Sequence, residues 1–473
     1  MKNTTIIMLA AHEPTIDPRV MLEYETTKKE FDVTLVGFEN WVKKEFVEDK
    51  NIIRLPRNRR AGIIIPAKFI FWILKIQPKM LPCLIAYVVL NFFHTFLSLS
   101  ISLFRLAVIK KNRLIQKVYK GSINSVDENG FNQKARYEEN VLKSILKNLE
   151  KIEAIQKIGV SYWIGYHIFM YSKECSKYIL ANFENIDLIH CNDFDTLPIA
   201  AFLKEKYRCK LVYDAHEYWP HSLTTDPHKK NNFFQFLERN FISKADAVCT
   251  VNPLLAKEIG LVYSLNHVHS ILNAEPWSDL SYSFEEKEKL VFLYQGNFAP
   301  DRGLEEVIKA WSILNPENAI LQLRGPDSPS KEKVINQVNQ FNIKNVEFPD
   351  AVSEHKLVTE AKKADIGIIP YKPVNINYKL CCPNKLSQYL HAGLVLLVND
   401  LDFVASVVKE GKVGFVYQSD DIESICSAIS KIISNKHILN DYKKRSILLA
   451  KEKFNWQIEG EKLIKIYEEV LKV

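Results

Sequence analysis

Short apolar runs of strand length alternate with segments of helical length along most of this 473-residue chain, and no other feature limits its fold as strongly. A strand followed by a helix returns to the same sheet in parallel, so repeated βα units build a parallel sheet. Two such series are present. The first has strands at 4–10, 32–36, 186–190, 210–213 and 247–251, with helices at 19–30 and 197–207. The second has strands at 289–294, 319–324, 346–348, 366–369, 395–399 and 414–417, with helices at 305–314 and 385–391. Residues 273–288, NAEPWSDLSYSFEEKE, are rich in polar and turn residues and mark the junction. The expected fold is α/β, with one parallel-sheet domain over 1–275, a second over 285–455, and a cleft where they face each other.

Composition supports packed cores. With 47% apolar residues, 25% charged, 15 Gly and 19 Pro, the chain is neither disordered nor fibrous. A net charge of +7 is too small over this length to mark a nucleic-acid binder. The eight cysteines are scattered, with only Cys381 and Cys382 adjacent and no C-x-x-C pair, so neither a disulfide framework nor a zinc site is suggested. That usage fits a reducing compartment. The N-terminus turns polar at His12 and Glu13 and reads as a first strand rather than a signal peptide, which places the protein in the cytoplasm.

Residues 62–120 stand outside the alternation. Residues 80–104 contain no Asp, Glu, Lys or Arg, enough length to cross a bilayer. Yet Asn91, His94, Thr95, Ser98, Ser102 and Arg105 recur at steps of three and four, drawing a polar stripe along one helical face. Upstream, Lys68, Lys75 and Lys79 mingle with Phe69, Phe71 and Trp72; downstream, 105–120 is basic with no acidic residue. Such helices lie in a membrane surface, where each basic residue near anionic lipid contributes about 1 kcal/mol. The leading reading is an apolar helical insertion that associates with the inner face of the cell membrane. A buried hairpin and a full span are the other two. The aromatic segment 155–171 is expected to pack against it.

In open parallel sheets, ligands sit beyond the carboxyl ends of the strands. There the first series offers His12, Glu13, Asp17 and Arg19, then Asn192, Asp193, Asp195 and Thr196, then Asp214, His216 and Glu217. Asp17 and Asp195 read equally well as helix N-caps. Asp193-Phe194-Asp195 also spells a D-x-D metal motif, disfavoured because a second sheet domain with its own phosphate-type loop follows. In that loop, QGNFAPDRGLEE, Gly296 allows close backbone approach and Arg302 places a fixed cation near a helix N-terminus, an arrangement suited to phosphate. Neither G-x-G-x-x-G nor a Walker loop occurs. In CCPNKLSQYLHAG, Pro383 starts a helix and Lys385 falls in its first turn, where a cation opposes the helix dipole unless an anion is bound. Gln388, three residues on, shares that face and suits a polyhydroxyl group attached to the anion.

The motifs DPRV, CNDFDTLP, VYDAHEYWP, ADAVCTVNP, ILNAEP, QGNFAPDRGLEEVIKA, ADIGIIPY and PNKLSQYLHAG, in this order and spacing, closely resemble the retaining GT-B glycosyltransferases of family four. The resemblance extends over about 1–40 and 185–470. It implies two facing Rossmann-like domains, a nucleotide-sugar donor held by the C-terminal one, an acceptor held by the N-terminal one, and transfer without metal or other cofactor. It also implies that the segment 456–473 is a helix returning to the first domain. By the same resemblance, His216, Arg302 and Lys385 are catalytic, and Gly296, Asn297, Asn384, Leu386 and Gln388 complete the donor site with Arg302 and Lys385. His12, Arg19, Asn192, Asp193, Asp195 and Glu217 fall on the acceptor side. The chain departs from the family at Gln388 and Leu380, where Glu is usual, and at Asn297, where many members have Arg. These departures imply weaker or altered nucleotide binding.

The expected function is a metal-independent, retaining hexosyltransferase. It moves a sugar from a nucleoside diphosphate to a glycan acceptor, lipid-linked in view of 62–120, in cell-surface polysaccharide or glycolipid synthesis. Two alternatives are a nucleotide-sugar epimerase, which turns over donor without acceptor, and a non-catalytic partner subunit with a degenerate donor site.

Overall fold

The computed structural model describes residues 4–39, 49–56, 153–222, 232–282, 284 and 287–472. The expectations for 62–120 therefore lie outside the described residues, as does the packing of 155–171 against them. By internal contacts the chain divides into one unit of Met1–Leu55 with Cys175–Val473 and another of Pro56–Glu174. Both sheets belong to the first. Of the second, the described part is the start of a helix, Glu153–Asn182. Among the described residues no helix is long and apolar enough to cross a membrane.

Two sheets form, as the alternation of apolar runs predicts. The first holds β1 (Thr5–Leu9), β2 (Asp32–Phe38), β3 (Ile52–Leu55), β4 (Leu188–Asn192), β5 (Lys210–Ala215), β6 (Ala247–Thr250) and β7 (Val268–Ser270), in the order β3-β2-β1-β4-β5-β6-β7. The second holds β8 (Leu290–Gln295), β9 (Ala319–Arg324), β10 (Val346–Glu347), β11 (Ile366–Ile369), β12 (Val395–Asn399) and β13 (Gly414–Tyr417), in the order β10-β9-β8-β11-β12-β13. Every pairing is parallel. Central strands such as β4 and β12 are buried along their whole length, which is why they read as continuous apolar runs rather than alternating ones. Strand order reverses at β1 in the first sheet and at β8 in the second, and those switch points are where an open sheet leaves a crevice.

Five helices matter for the site. They are α1 (Pro18–Thr27), α2 (Asp193–Tyr207), α3 (Leu304–Leu314), α4 (Asn384–His391) and α5 (Trp456–Lys472). Asp17 caps α1, accepting from the amides of Arg19 and Val20. The other expected cap differs. Asn192 occupies the cap position of α2, so Asp195 lies within the first turn. Helix α5 sets Trp456, Leu463, Ile466 and Tyr467 among Met8, Val20, Tyr24 and Phe31 of the first sheet's core. Trp456 also donates from Nε1 to Thr26 Oγ1 at 2.8 Å and from its amide to Glu275 O at 3.0 Å.

Candidate active site

A cavity of ≈ 790 Å³ opens between the carboxyl ends of the two sheets. From the second sheet it is lined by Gly296, Asn297, Arg302, Asn384, Lys385 and Gln388, and from the first by His216 and Glu217. Sequence positions more than 80 residues apart thus meet because both switch-point crevices face each other.

The second sheet builds a cationic pocket. Gly296 follows β8 directly with φ +132°, a backbone conformation that favours glycine, and a Cβ there would stand 2.5 Å from Lys385 Nζ and displace it. Lys385 reaches from the first turn of α4 and donates from Nζ to Tyr371 Oη at 2.9 Å. Arg302 closes the short turn Pro300–Arg302 and lays its guanidinium over the same ring, 4.1 Å from its centroid. Neither cation has a carboxylate within ion-pair distance among the described residues. Two basic groups gathered on one phenol beside a helix N-terminus form a site for a strongly anionic ligand. Tyr371, just past β11, escaped the sequence reading although its ADIGIIPY motif was recognised; an aromatic residue after a strand has no chemical signature until its neighbours are known.

The first sheet supplies a different centre. His216 stands one residue beyond β5, with Nε2 donating to Asn192 Oδ1 at 3.0 Å and facing Asp214 Oδ2 at 3.5 Å. Its Nδ1 faces Asp193 Oδ2 at 3.6 Å and Asp17 Oδ2 at 3.9 Å. Burial pulls the imidazolium pKa down, but Asp193, Asp214 and Asp17 outweigh it and bring it up to about 10. His216 is therefore charged at neutral pH. Asp193, at φ +62°, starts α2 in the left-handed region and accepts from the amide of His216 at 3.0 Å and from Trp219 Nε1 at 2.8 Å. Burial raises its carboxyl to about 6 despite the neighbouring imidazolium.

Several residues expected in the site serve it from behind. Arg19 is buried and donates to Asp214 Oδ2 at 2.9 and 2.8 Å, to Ile271 O at 2.8 Å and to Asn273 Oδ1 at 2.9 Å. Two of these four bonds hold the carboxylate that faces His216. Asn192 is buried and ties β4 to β1 through Leu9 O at 3.1 Å. His12 bonds to Glu13 O at 3.0 Å, and Asp195 stays in the first turn of α2; neither lines the cavity. Leu386 has its side chain buried in the core, and its amide bonds to Pro383 O at 2.9 Å.

Leu380 shows the same inward turn. It is buried, and Asn252 Nδ2 holds its carbonyl at 2.6 Å. Asn377 adds a second tie, accepting from the Tyr218 amide at 2.7 Å and donating to Glu217 Oε2 at 3.2 Å. These contacts hold the loop before α4 against the first sheet. For a metal, the closest grouping among the described residues is Glu23, Asp214 and His216, with ligand atoms within 4.8 Å of one another. Arg19 lies on two of them, at 3.1 Å from Glu23 and 2.8 Å from Asp214, so a fixed guanidinium already holds the place of a cation.

Two facing Rossmann-like sheets with a cationic pocket at the second switch point define the GT-B fold. The comparisons with known proteins place it further. The family model described as Glycosyl transferases group 1 matches residues 280–448, and that described as Glycosyltransferase Family 4 matches residues 136–274. The chain belongs to the family 4 glycosyltransferases. It is 23% identical over 341 residues to the uncharacterized glycosyltransferase MJ1607 of Methanocaldococcus jannaschii, covering 66% of this chain and 83% of that one. The fold is similar to that of sucrose-phosphate synthase from Thermosynechococcus elongatus, with TM-score 0.64 and 11% identity over 99% of this chain and 100% of that one. It is also similar to a glycosyltransferase from Rickettsia africae, with TM-score 0.60 and 11% identity over the full length of both.

Proposed function

We propose that this glycosyltransferase transfers a hexose from a nucleoside diphosphate sugar to a glycan acceptor, with retention of configuration and without a metal. The observation that carries this reading is the convergence of Arg302 and Lys385 on Tyr371, neither of them in an ion pair among the described residues. A diphosphate fits that pair. As the bond from the sugar carbon to the diphosphate breaks, negative charge grows on the leaving oxygen, and Arg302, Lys385 and the amides at the start of α4 stabilise it. The acceptor hydroxyl oxygen bonds to the sugar carbon, and its proton passes to the released phosphate oxygen. His216, already protonated, takes part as a cation and hydrogen-bond donor at the sugar rather than as a base. The apolar, basic segment 62–120 favours a lipid-linked acceptor at the inner face of the membrane, in cell-surface polysaccharide or glycolipid synthesis.

Thermal unfolding with UDP-, GDP-, ADP- and dTDP-linked sugars tests the donor assignment. Ligand at 100 times Kd stabilises by about 2.7 kcal/mol. One nucleotide series should raise the midpoint, and Arg302→Ala should abolish both that shift and transfer while the protein stays folded. Less than a tenfold loss of rate in the variant, about 1.4 kcal/mol, would sink the assignment.

A further inference from the structure

Tyr371 supports the two cations of the pocket with different parts of one side chain. Measured to its centroid, the ring lies 4.1 Å from the Arg302 guanidinium and 5.2 Å from Lys385 Nζ, while its Oη accepts from Lys385 Nζ at 2.9 Å. Two further rings complete the support: Tyr378 lies 5.5 Å from the Arg302 guanidinium, and Tyr294 lies 5.2 Å from Lys385 Nζ. Ring faces attract a cation without a countercharge that an incoming anion would have to displace. A phenylalanine at 371 would offer the same face, so the hydroxyl has a separate use.

A phenol oxygen both accepts and donates. Accepting from Lys385 occupies a lone pair and leaves the O–H proton, and among the described residues no acceptor takes it. Tyr371 is 7% exposed and lines the catalytic cavity, so that proton is offered to whatever fills the cavity. The bond from the ammonium polarises the O–H and strengthens it as a donor. The acceptor that fits beside two cations is an anionic oxygen. We propose that Tyr371 is a catalytic residue whose hydroxyl donates to the diphosphate oxygen that leaves the sugar. This inference rests on the donor reading above. The hydroxyl keeps its proton throughout: the bond from the sugar carbon to that oxygen breaks, the electron pair stays on the oxygen, and the acceptor's proton still passes to the released phosphate. A hydrogen bond that strengthens as this charge grows favours the transition state over the bound substrate.

The test uses the full chain as wild type, Tyr371→Phe, Lys385→Met and the double variant, each first shown to be folded by thermal unfolding. The ligands are UDP, GDP, ADP and dTDP with their sugars, in whichever series wild type binds. Tyr371→Phe keeps the ring under Arg302 and removes only the oxygen. It should lower kcat for release of the diphosphate by about tenfold or more while Kd for the nucleotide sugar stays within about threefold. Affinity for the free diphosphate, which carries the extra charge at the leaving oxygen, should fall further than affinity for the nucleotide sugar. The change also takes from Lys385 its acceptor, and the double variant separates the two effects. Against Lys385→Met, loss of the oxygen should still lower kcat by about threefold or more, whereas a hydroxyl that only holds the lysine would have no effect there. A kcat in Tyr371→Phe within about threefold of wild type, equal losses of affinity for diphosphate and nucleotide sugar, or no loss in the Lys385→Met background would each overturn the role of Tyr371 alone. Failure of every nucleotide to bind wild type would overturn the donor reading, and this inference with it.

Discussion

His216 sits one residue past β5, where Asp193, Asp214 and Asp17 face it and their charge outweighs the cost of burying a cation. Asp193→Asn keeps an acceptor for the His216 amide and for Trp219, and asparagine tolerates the left-handed backbone, so the change is mainly one of charge. Asp193 is the largest of the influences raising His216, so its loss should bring the imidazolium from about 10 toward its ordinary value of 6.5. The alkaline limb of kcat/KM should then move down by more than one pH unit, read from the pH-rate profile and from the imidazole resonances; a limb that stays in place would deny His216 its charged role. At this scale the sequence was half legible. Lys385 betrayed itself by opposing the dipole of its own helix, whereas the sharing of Tyr371 by Lys385 and Arg302 depends on contacts that no local pattern encodes.

Helix α5 shows how an element distant in sequence holds the first sheet. Tyr467 Oη lies 2.7 Å from His190 Nδ1, both fully buried, and His190 Nε2 faces Glu23 at 3.2 Å. Tyr467→Phe leaves a buried ring nitrogen unpaired and should cost about 1–3 kcal/mol, seen as a lower urea midpoint with donor affinity unchanged. A midpoint equal to wild type would mean the bond contributes nothing net. The central strands were plain in the sequence because they are buried on both faces and read as unbroken apolar runs. The edge strands β3 and β7, of four and three residues, were not, although β10 and β13, edge strands of two and four residues, were read.

For the whole molecule, buried acids and the buried imidazolium set the dependence of stability on pH. Glu238 is buried, bonded by Tyr213 Oη at 2.7 Å and Tyr263 Oη at 2.5 Å, and burial lifts it to about 7. A raised carboxyl makes the folded state hold its proton more tightly than the unfolded chain, so this contribution is complete below 4.5 and is lost as pH rises through 7. His216 has the same sign in a higher window, complete below 6.5 and lost as pH rises through 10. Urea midpoints should therefore fall between pH 5 and 7.5 and again toward pH 10. Glu238→Gln should remove part of the first fall, Asp193 and Glu275, raised to about 6 and about 7, carrying the rest; a variant whose midpoint tracks wild type through that range would show that Glu238 does not contribute to it.

Alone, the sequence determined that this chain forms two parallel α/β sheets, and it marked the loops after β5 and β8 and the start of α4 as places for chemistry. Those features are local: apolar runs of strand length, glycine at a turn, a lysine in a helix's first turn. Only the tertiary structure decided which of the marked residues face the cleft. Arg19 and Leu386 turned inward because Asp214 and the core claimed them, while Tyr371 lines the cavity. A side chain's role in a two-sheet site depends on partners brought from the opposite sheet, often more than a hundred residues away, and such pairings are settled by packing and burial rather than by neighbours in the chain.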